Sequence, residues 1–162
     1  MVHKIQRIEA SDLIENINFI SKGLNWSDNR KRQVINYIVK ANRELGFYGY
    51  SSRNESNICG AMLTPYQGRI EDCSCVSYMA LYFEREHRGL EVYKFCKLVT
   101  SQIKEEGYTI SSFSPSRATR LLLGSVGFKS MNSYEKRWHI FCLLYTSPSP
   151  RDVEESRMPS SA

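Results

Sequence analysis

Val76-Ser-Tyr-Met-Ala-Leu-Tyr-Phe-Glu-Arg-Glu-His-Arg-Gly-Leu-Glu-Val-Tyr93 decides the fold of this chain. Its first eight residues, Val76–Phe83, are β-branched, aromatic or aliphatic with few breaks, the composition of a buried strand. Glu84–Gly89 is a charged turn closed by glycine. Beyond it, Val92, Cys96, Val99 and Ile103 recur at helical spacing, so the turn opens an amphipathic helix. Gly107 ends that helix, Tyr108–Phe113 reads as a second strand, and Ser116–Val126 as a second helix before Gly127-Phe128. Strand, turn, helix, strand, helix is a βαβα unit, which implies a right-handed crossover and parallel pairing. In such units ligands sit beyond the carboxyl ends of the strands, where helix N-termini present free N–H groups to anions.

Upstream, Lys4–Glu9 alternates as a first strand, and Ser11-Asp12 offers an N-cap for a helix running to about Gly23. A basic amphipathic helix is expected over about Asn29–Leu45, with Val34, Ile35, Ile38 and Val39 inward. Its cationic face reads as solvated surface. Phe47–Ser52 and Asn57–Thr64 form two strands around the polar turn Arg53–Ser56, and Gln67-Gly68 turns the chain into the central strand. The last strand covers about Lys129–Ile140. The expected order is β-α-α-β-β-β-α-β-α-β, an α+β fold with a mixed, mostly antiparallel twisted sheet and helices on both faces.

The 162 residues suffice for one domain with its own core. A net charge of +5 is compatible with a phosphate-bearing ligand and too mild and evenly spread to argue for nucleic acid, which is not the expected partner. No apolar run reaches membrane-span length and Met1–Ala10 lacks a signal-peptide core, so a cytoplasmic protein is expected. The five cysteines are odd in number without a disulfide-framework spacing, which favours reduced thiols. Cys73-Ser-Cys75 lacks a second pair or a nearby histidine, and His3, His87 and His139 are scattered along the chain, so no metal centre is expected.

From Cys142 onward the composition changes abruptly. Cys142–Asp152 and Ser156–Ala162 resemble the translation of a transposase-type sequencing adapter, with Val153-Glu-Glu155 as the index between its halves. Residues 1–141 are therefore expected to be the evolved domain, ending near Phe141 or cut short of its own end, and residues 142–162 a non-native, disordered tail. The tail holds two basic and three acidic residues, so the domain alone carries one more positive charge than the whole.

The element order, Tyr82–Gly89 and Leu122-Leu-Gly-Ser-Val-Gly-Phe128 together resemble the GNAT family of acyl-CoA-dependent N-acyltransferases. The family's Pro-Glu-Tyr-Arg-Gly segment falls on Phe83 and Glu84–Gly89, and its Asn-x-x-Ala-x-x-Leu-Tyr-x-x-x-Gly-Phe signature on Ser116–Phe128. The resemblance implies an acetyl-CoA-dependent N-acetyltransferase acting on an amine-bearing small molecule or peptide. It places the CoA pyrophosphate on the amides of Arg88, Gly89, Leu90, Glu91, Val92 and Tyr93, and pantetheine along Leu81, Tyr82 and Phe83, with Ser116 nearby. Glu91 and Tyr93 stand where the family's motif has glycines, and a carboxylate at Glu91 would repel a pyrophosphate. The central strand lacks the family's usual carboxylate. Glu71 and Asp72 could act through water, and Cys75 and Tyr78 are the titratable side chains within the strand. The family's acidic tyrosine falls on Leu123, which cannot donate a proton. Tyr134 takes its place, or solvent does, or the chain is a non-catalytic module of the same fold.

Overall fold

The computed structural model describes residues 3–70, 72–113, 116–132 and 137–140, with only the backbone described for residues 113, 131–132 and 137–140. Among these, β1 is Lys4–Ile8, α1 Leu13–Leu24, α2 Asp28–Ala41, β2 Gly49–Asn54 and β3 Asn57–Leu63. β4 is Tyr66–Ile70, β5 Cys73–Phe83, α3 Leu90–Glu105, β6 Thr109–Phe113, α4 Arg117–Ser125, β7 Lys129–Asn132 and β8 Arg137–Ile140. None of the described helices is long and apolar enough to cross a membrane.

The strands form one sheet in the order β1-β2-β3-β5-β6-β8-β7, with β4 beside the first half of β5. Every ladder is antiparallel except β5–β6, the parallel pair that the βαβα reading requires. The fold class is the expected α+β sheet with helices on both faces.

Each face of the sheet has its own core. On one face Leu13, Ile17 and Ile20 of α1 and Val34 and Ile38 of α2 pack on Ile8, Ile58, Ala61 and Leu63. On the other, Phe95, Cys96, Val99 and Ile103 of α3 and Leu123 of α4 pack on Tyr50, Met62, Val76, Tyr78, Phe83 and Ile110. The helical spacing of the α3 residues places them on one stripe, and burying that stripe holds the crossover against the sheet.

The element order differs from the expected one at two places. Gln67-Gly68 is not a turn. Gly68, at φ 98, accommodates a bulge inside β4, and the reversal falls at Asp72, at φ 64. Lys129–Ile140 is not one strand but two, β7 and β8, paired antiparallel. A further departure lies after α2, which stops at Ala41 rather than Leu45. There the buried Asn42 uses its amide nitrogen to donate to Phe47 O (3.0 Å) and Thr64 O (3.2 Å). Its side-chain oxygen accepts from Tyr66 N at 2.9 Å. One side chain thus fastens the end of α2 to the entries of β2 and β4.

Candidate active site

The site is built from a divergence of two strands. β5 and β6 run parallel only from Cys75–Thr109 to Tyr78–Ser112. Beyond Tyr78, β5 continues to Phe83 and pairs with β3, through Leu63–Met79, Ala61–Tyr82 and Gly60–Phe83. Between the first two of those pairs β5 takes one residue more than β3, and Ala80 sits there at φ 57. A bulge of this kind bends its strand and raises the local twist, which turns the end of β5 away from β6. Among the described residues the β6-facing edge of Met79–Phe83 has no ladder partner. Such an edge offers backbone N–H and C=O groups to an extended ligand.

At the end of that edge the chain makes a 3₁₀ turn, Arg85–His87, and enters α3 through Gly89. Gly89 adopts φ 88 and ψ −122, a conformation open to glycine and costly for a residue with a Cβ. The first backbone bond of α3 is Tyr93 N to Gly89 O at 3.3 Å, so the N–H groups of Leu90, Glu91 and Val92 precede it. Arg88 Nε donates to Phe83 O at 2.9 Å, and its guanidinium lies 5.5 Å from the Tyr82 ring centre. Glu84 N donates to Cys59 O at 2.9 Å. The turn is therefore fastened to both β5 and β3.

Glu91 Oε2 lies 2.9 Å from Nδ1 of His3, the residue before β1. Leu90 is 63 % exposed, and Tyr93 packs its ring 5.8 Å from Lys97 Nζ. Leu81 and Val92 pack at the margin of the α3–α4 core, and Phe83 meets Phe95 edge-on at 5.1 Å. Tyr82 points to the opposite face, edge-on to Phe19 at 5.6 Å and directly beneath Gly23. Ser116 caps α4, accepting from Thr119 N at 3.1 Å.

The two central-strand candidates for proton transfer are core groups. Tyr78 is 7 % exposed and its hydroxyl shares a 2.5 Å hydrogen bond with Thr100 Oγ1 of α3. Burial pushes its phenol well above the ordinary value, and the Thr100 bond offsets this only in part. Cys75 is fully buried, 3.7 Å from Ser111 Oγ. Both are buried, which alternation along the strand does not reveal, because both faces of β5 are covered. Leu123, at the position of the family's tyrosine, is buried in the same core. Tyr134, Glu71 and the tail 142–162 lie outside the described residues.

Three features of the site carry no sequence signal: the bulge at Ala80, the close approach of Gly23 to Tyr82, and the meeting of His3 with His87 at 3.1 Å. Each depends on which strands pair, and residues 84 positions apart show no periodicity that would reveal it.

No protein-family model and no curated protein matches the chain. Solved structures do. The chain superposes on a predicted acetyltransferase from Clostridium acetobutylicum, solved with acetyl-CoA, with a TM-score of 0.66 and 12% identity, covering 89% of this chain and 98% of that one. Arabidopsis thaliana Naa50, solved with the bisubstrate analogue CoA-Ac-MVNAL, matches with a TM-score of 0.62 and 10% identity over 86% and 97% of the two chains. A GNAT acetyltransferase from Anabaena variabilis matches with a TM-score of 0.63 and 12% identity over 81% of this chain. In that case the match spans 33% of the Anabaena protein's length. The chain has the GNAT acetyltransferase fold.

Proposed function

We propose that the chain is an N-acetyltransferase that transfers acetyl from acetyl-CoA directly to a primary amine of a small molecule or peptide. The observation that carries this reading is the opening between β5 and β6, with an unpaired strand edge leading to a helix N-terminus entered through Gly89. These parts fit the co-substrate. Met79–Phe83 offers a strand edge to the amides of pantetheine, while the N–H groups of Leu90, Glu91 and Val92 suit a pyrophosphate. Arg88, its Nε fixed by Phe83 O, brings a guanidinium to the same anion. Acetyl-CoA supplies the activated thioester. The peptide-bearing analogue bound by the Arabidopsis protein supports an amine acceptor of that kind.

The chain's own contribution is placement. Residues Cys73–Phe83 include no carboxylate, so the central strand provides no general base. Holding an amine and a thioester in one orientation supplies much of the rate in such a transfer. Proton loss from the amine then falls to solvent, and the rate should rise with pH until the acceptor itself is deprotonated.

A second reading, a non-catalytic module that keeps the fold and binds a ligand or partner, is favoured by one observation. The position of the family's tyrosine is the buried Leu123, a packing residue without a proton to give. Calorimetric titration with acetyl-CoA, with CoA and the Arg88→Ala variant alongside, separates the two. The acetyltransferase reading predicts saturable binding that Arg88→Ala weakens by roughly tenfold, the loss of one charge-assisted contact. A folded protein that binds neither acetyl-CoA nor CoA leaves the module reading.

A further inference from the structure

Three side chains with metal-ligating atoms converge beside the β5–α3 turn from distant parts of the sequence. His3 precedes β1, Cys59 lies in β3, and His87 ends the 3₁₀ turn, with one ligating atom from each within 4.8 Å of the other two. We propose that His3, Cys59 and His87 form a site for a divalent transition metal of the zinc type, with a carboxylate of the turn or a water as fourth ligand.

The local structure aims these groups at one another. Between the Ser52–Gly60 and Arg53–Ile58 pairs, β3 takes one residue more than β2, and that extra residue is Cys59. A bulge re-aims the side chain it carries. Cys59 is 2 % exposed, and its thiol comes near both imidazoles while its carbonyl holds Glu84 N. His3 Nε2 and His87 Nδ1 face each other at 3.1 Å with their rings nearly perpendicular, at 81°. In a tetrahedral site with metal–nitrogen bonds near ~2.1 Å and a metal–sulfur bond near ~2.3 Å, neighbouring ligand atoms stand roughly 3.4–3.7 Å apart. The separations in the cluster need adjust by about an ångström to reach that geometry.

The surroundings match a cation. Glu91 Oε2 stands 2.9 Å from His3 Nδ1, close enough for an ion pair although not aligned as a hydrogen bond. A carboxylate behind the non-ligating nitrogen of a histidine fixes the tautomer and raises the basicity of the other nitrogen. Glu84 and Glu86 approach His87 in a second cluster, again with ligating atoms within 4.8 Å of one another. A cleft of about 420 Å³, lined by His3, Ile5, Glu91, Lys94 and Leu98, adjoins the cluster at His3. Imidazole and thiolate together select zinc-like ions over magnesium or calcium. On binding, the Cys59 thiol gives its proton to solvent and its sulfur lone pair to the metal, with no change of oxidation state. The metal then ties β1 and β3 to the turn that precedes Gly89.

This departs from the sequence expectation of no metal centre. Cys73-Ser-Cys75 drew attention as a pair, whereas the ligands lie at positions 3, 59 and 87. The proposal does not depend on acetyl transfer, because its test is spectroscopic.

The test is titration of the reduced full chain with Co²⁺ as a probe, followed by Zn²⁺. One equivalent of Co²⁺ should give intense visible bands of tetrahedral cobalt and a near-ultraviolet thiolate charge-transfer band. Zn²⁺ should displace both. Cys59→Ser should abolish the charge-transfer band, while Cys75→Ser keeps it. His3→Gln and His87→Gln should each weaken affinity by at least tenfold, and Glu91→Gln by about tenfold, as a residue behind a ligand does. Folded wild-type protein without a thiolate band at millimolar Co²⁺ overturns the proposal, as does a band of undiminished strength in Cys59→Ser. Should Cys59→Ser fail to fold, unchanged affinity in His3→Gln overturns it instead.

Discussion

Gly23→Ala is predicted to destabilise the protein, although helix propensity alone predicts the reverse. Gly23 lies in the last turn of α1, where alanine favours the helix by up to about 1 kcal/mol. A Cβ built on Gly23, however, falls 2.3 Å from Tyr82 Cε2 and 2.4 Å from Cδ2 and Cζ. Non-bonded carbons prefer about 3.5–4.0 Å, so ring and helix must separate by more than ~1 Å. The ring has little room to yield. Phe19 packs edge-on against it at 5.6 Å, and the Arg88 guanidinium stands 5.5 Å from its centre. Overpacking of this kind costs about 1–3 kcal/mol, which outweighs the propensity gain and leaves a net loss of about 1 kcal/mol. In a Tyr82→Ala background the obstacle is gone and the sign should invert to a gain of up to about 1 kcal/mol. Urea unfolding of the four proteins in this cycle measures a coupling of about 2 kcal/mol. Equal stabilisation by Gly23→Ala in both backgrounds would refute the packing argument.

Asn42→Ala should cost about 2–4 kcal/mol in the same assay, because Phe47 O, Thr64 O and Tyr66 N lose a buried partner together. Glu15 supplies a pH-dependent increment: the hydrogen bond from Arg53 holds its carboxyl below the ordinary 4.5, against a smaller opposing effect of burial. That increment is present above pH 4.5 and lost as the pH falls through the lowered value. The Glu15 side chain is 56 % exposed, so screening limits the increment to a few tenths of a kcal/mol, and the gap between wild type and Glu15→Gln should narrow as the pH falls below 4.5. Cys96, whose thiol burial pushes up to about 12, should react with a disulfide reagent only when urea unfolds the chain, as peptide mapping would show.

How much of this was legible in the sequence follows from which interactions are local. The strand Val76–Phe83, Gly89 at the helix entry and the stripe of Val92, Cys96, Val99 and Ile103 are readable because period and turn chemistry act over neighbouring residues. Ser116 as an N-cap belongs to the same class. The early stop of α2 is harder to read, since Asn42 ends the helix by bonding across to Phe47 and Thr64. Gly68 has the composition of a turn and instead absorbs a bulge, because the pairing of β4 with β5 fixes what its positive φ is used for. Tyr78 and Cys75 carry titratable groups on the central strand, and their burial is set by tertiary packing that spacing does not announce. Spacing alone cannot foretell that β1 and β3 bring His3 and Cys59 to His87.

The most direct test of the account is hydrogen–deuterium exchange of the full chain with and without saturating acetyl-CoA. If the strand edge past Ala80 and the start of α3 receive the co-substrate, amides within residues 79–83 and 88–93 should gain protection while α1 and α2 exchange as before. Unchanged exchange in both segments, or protection confined to the opposite face of the sheet, would contradict the assignment of the opening between β5 and β6 as the acyl-CoA site.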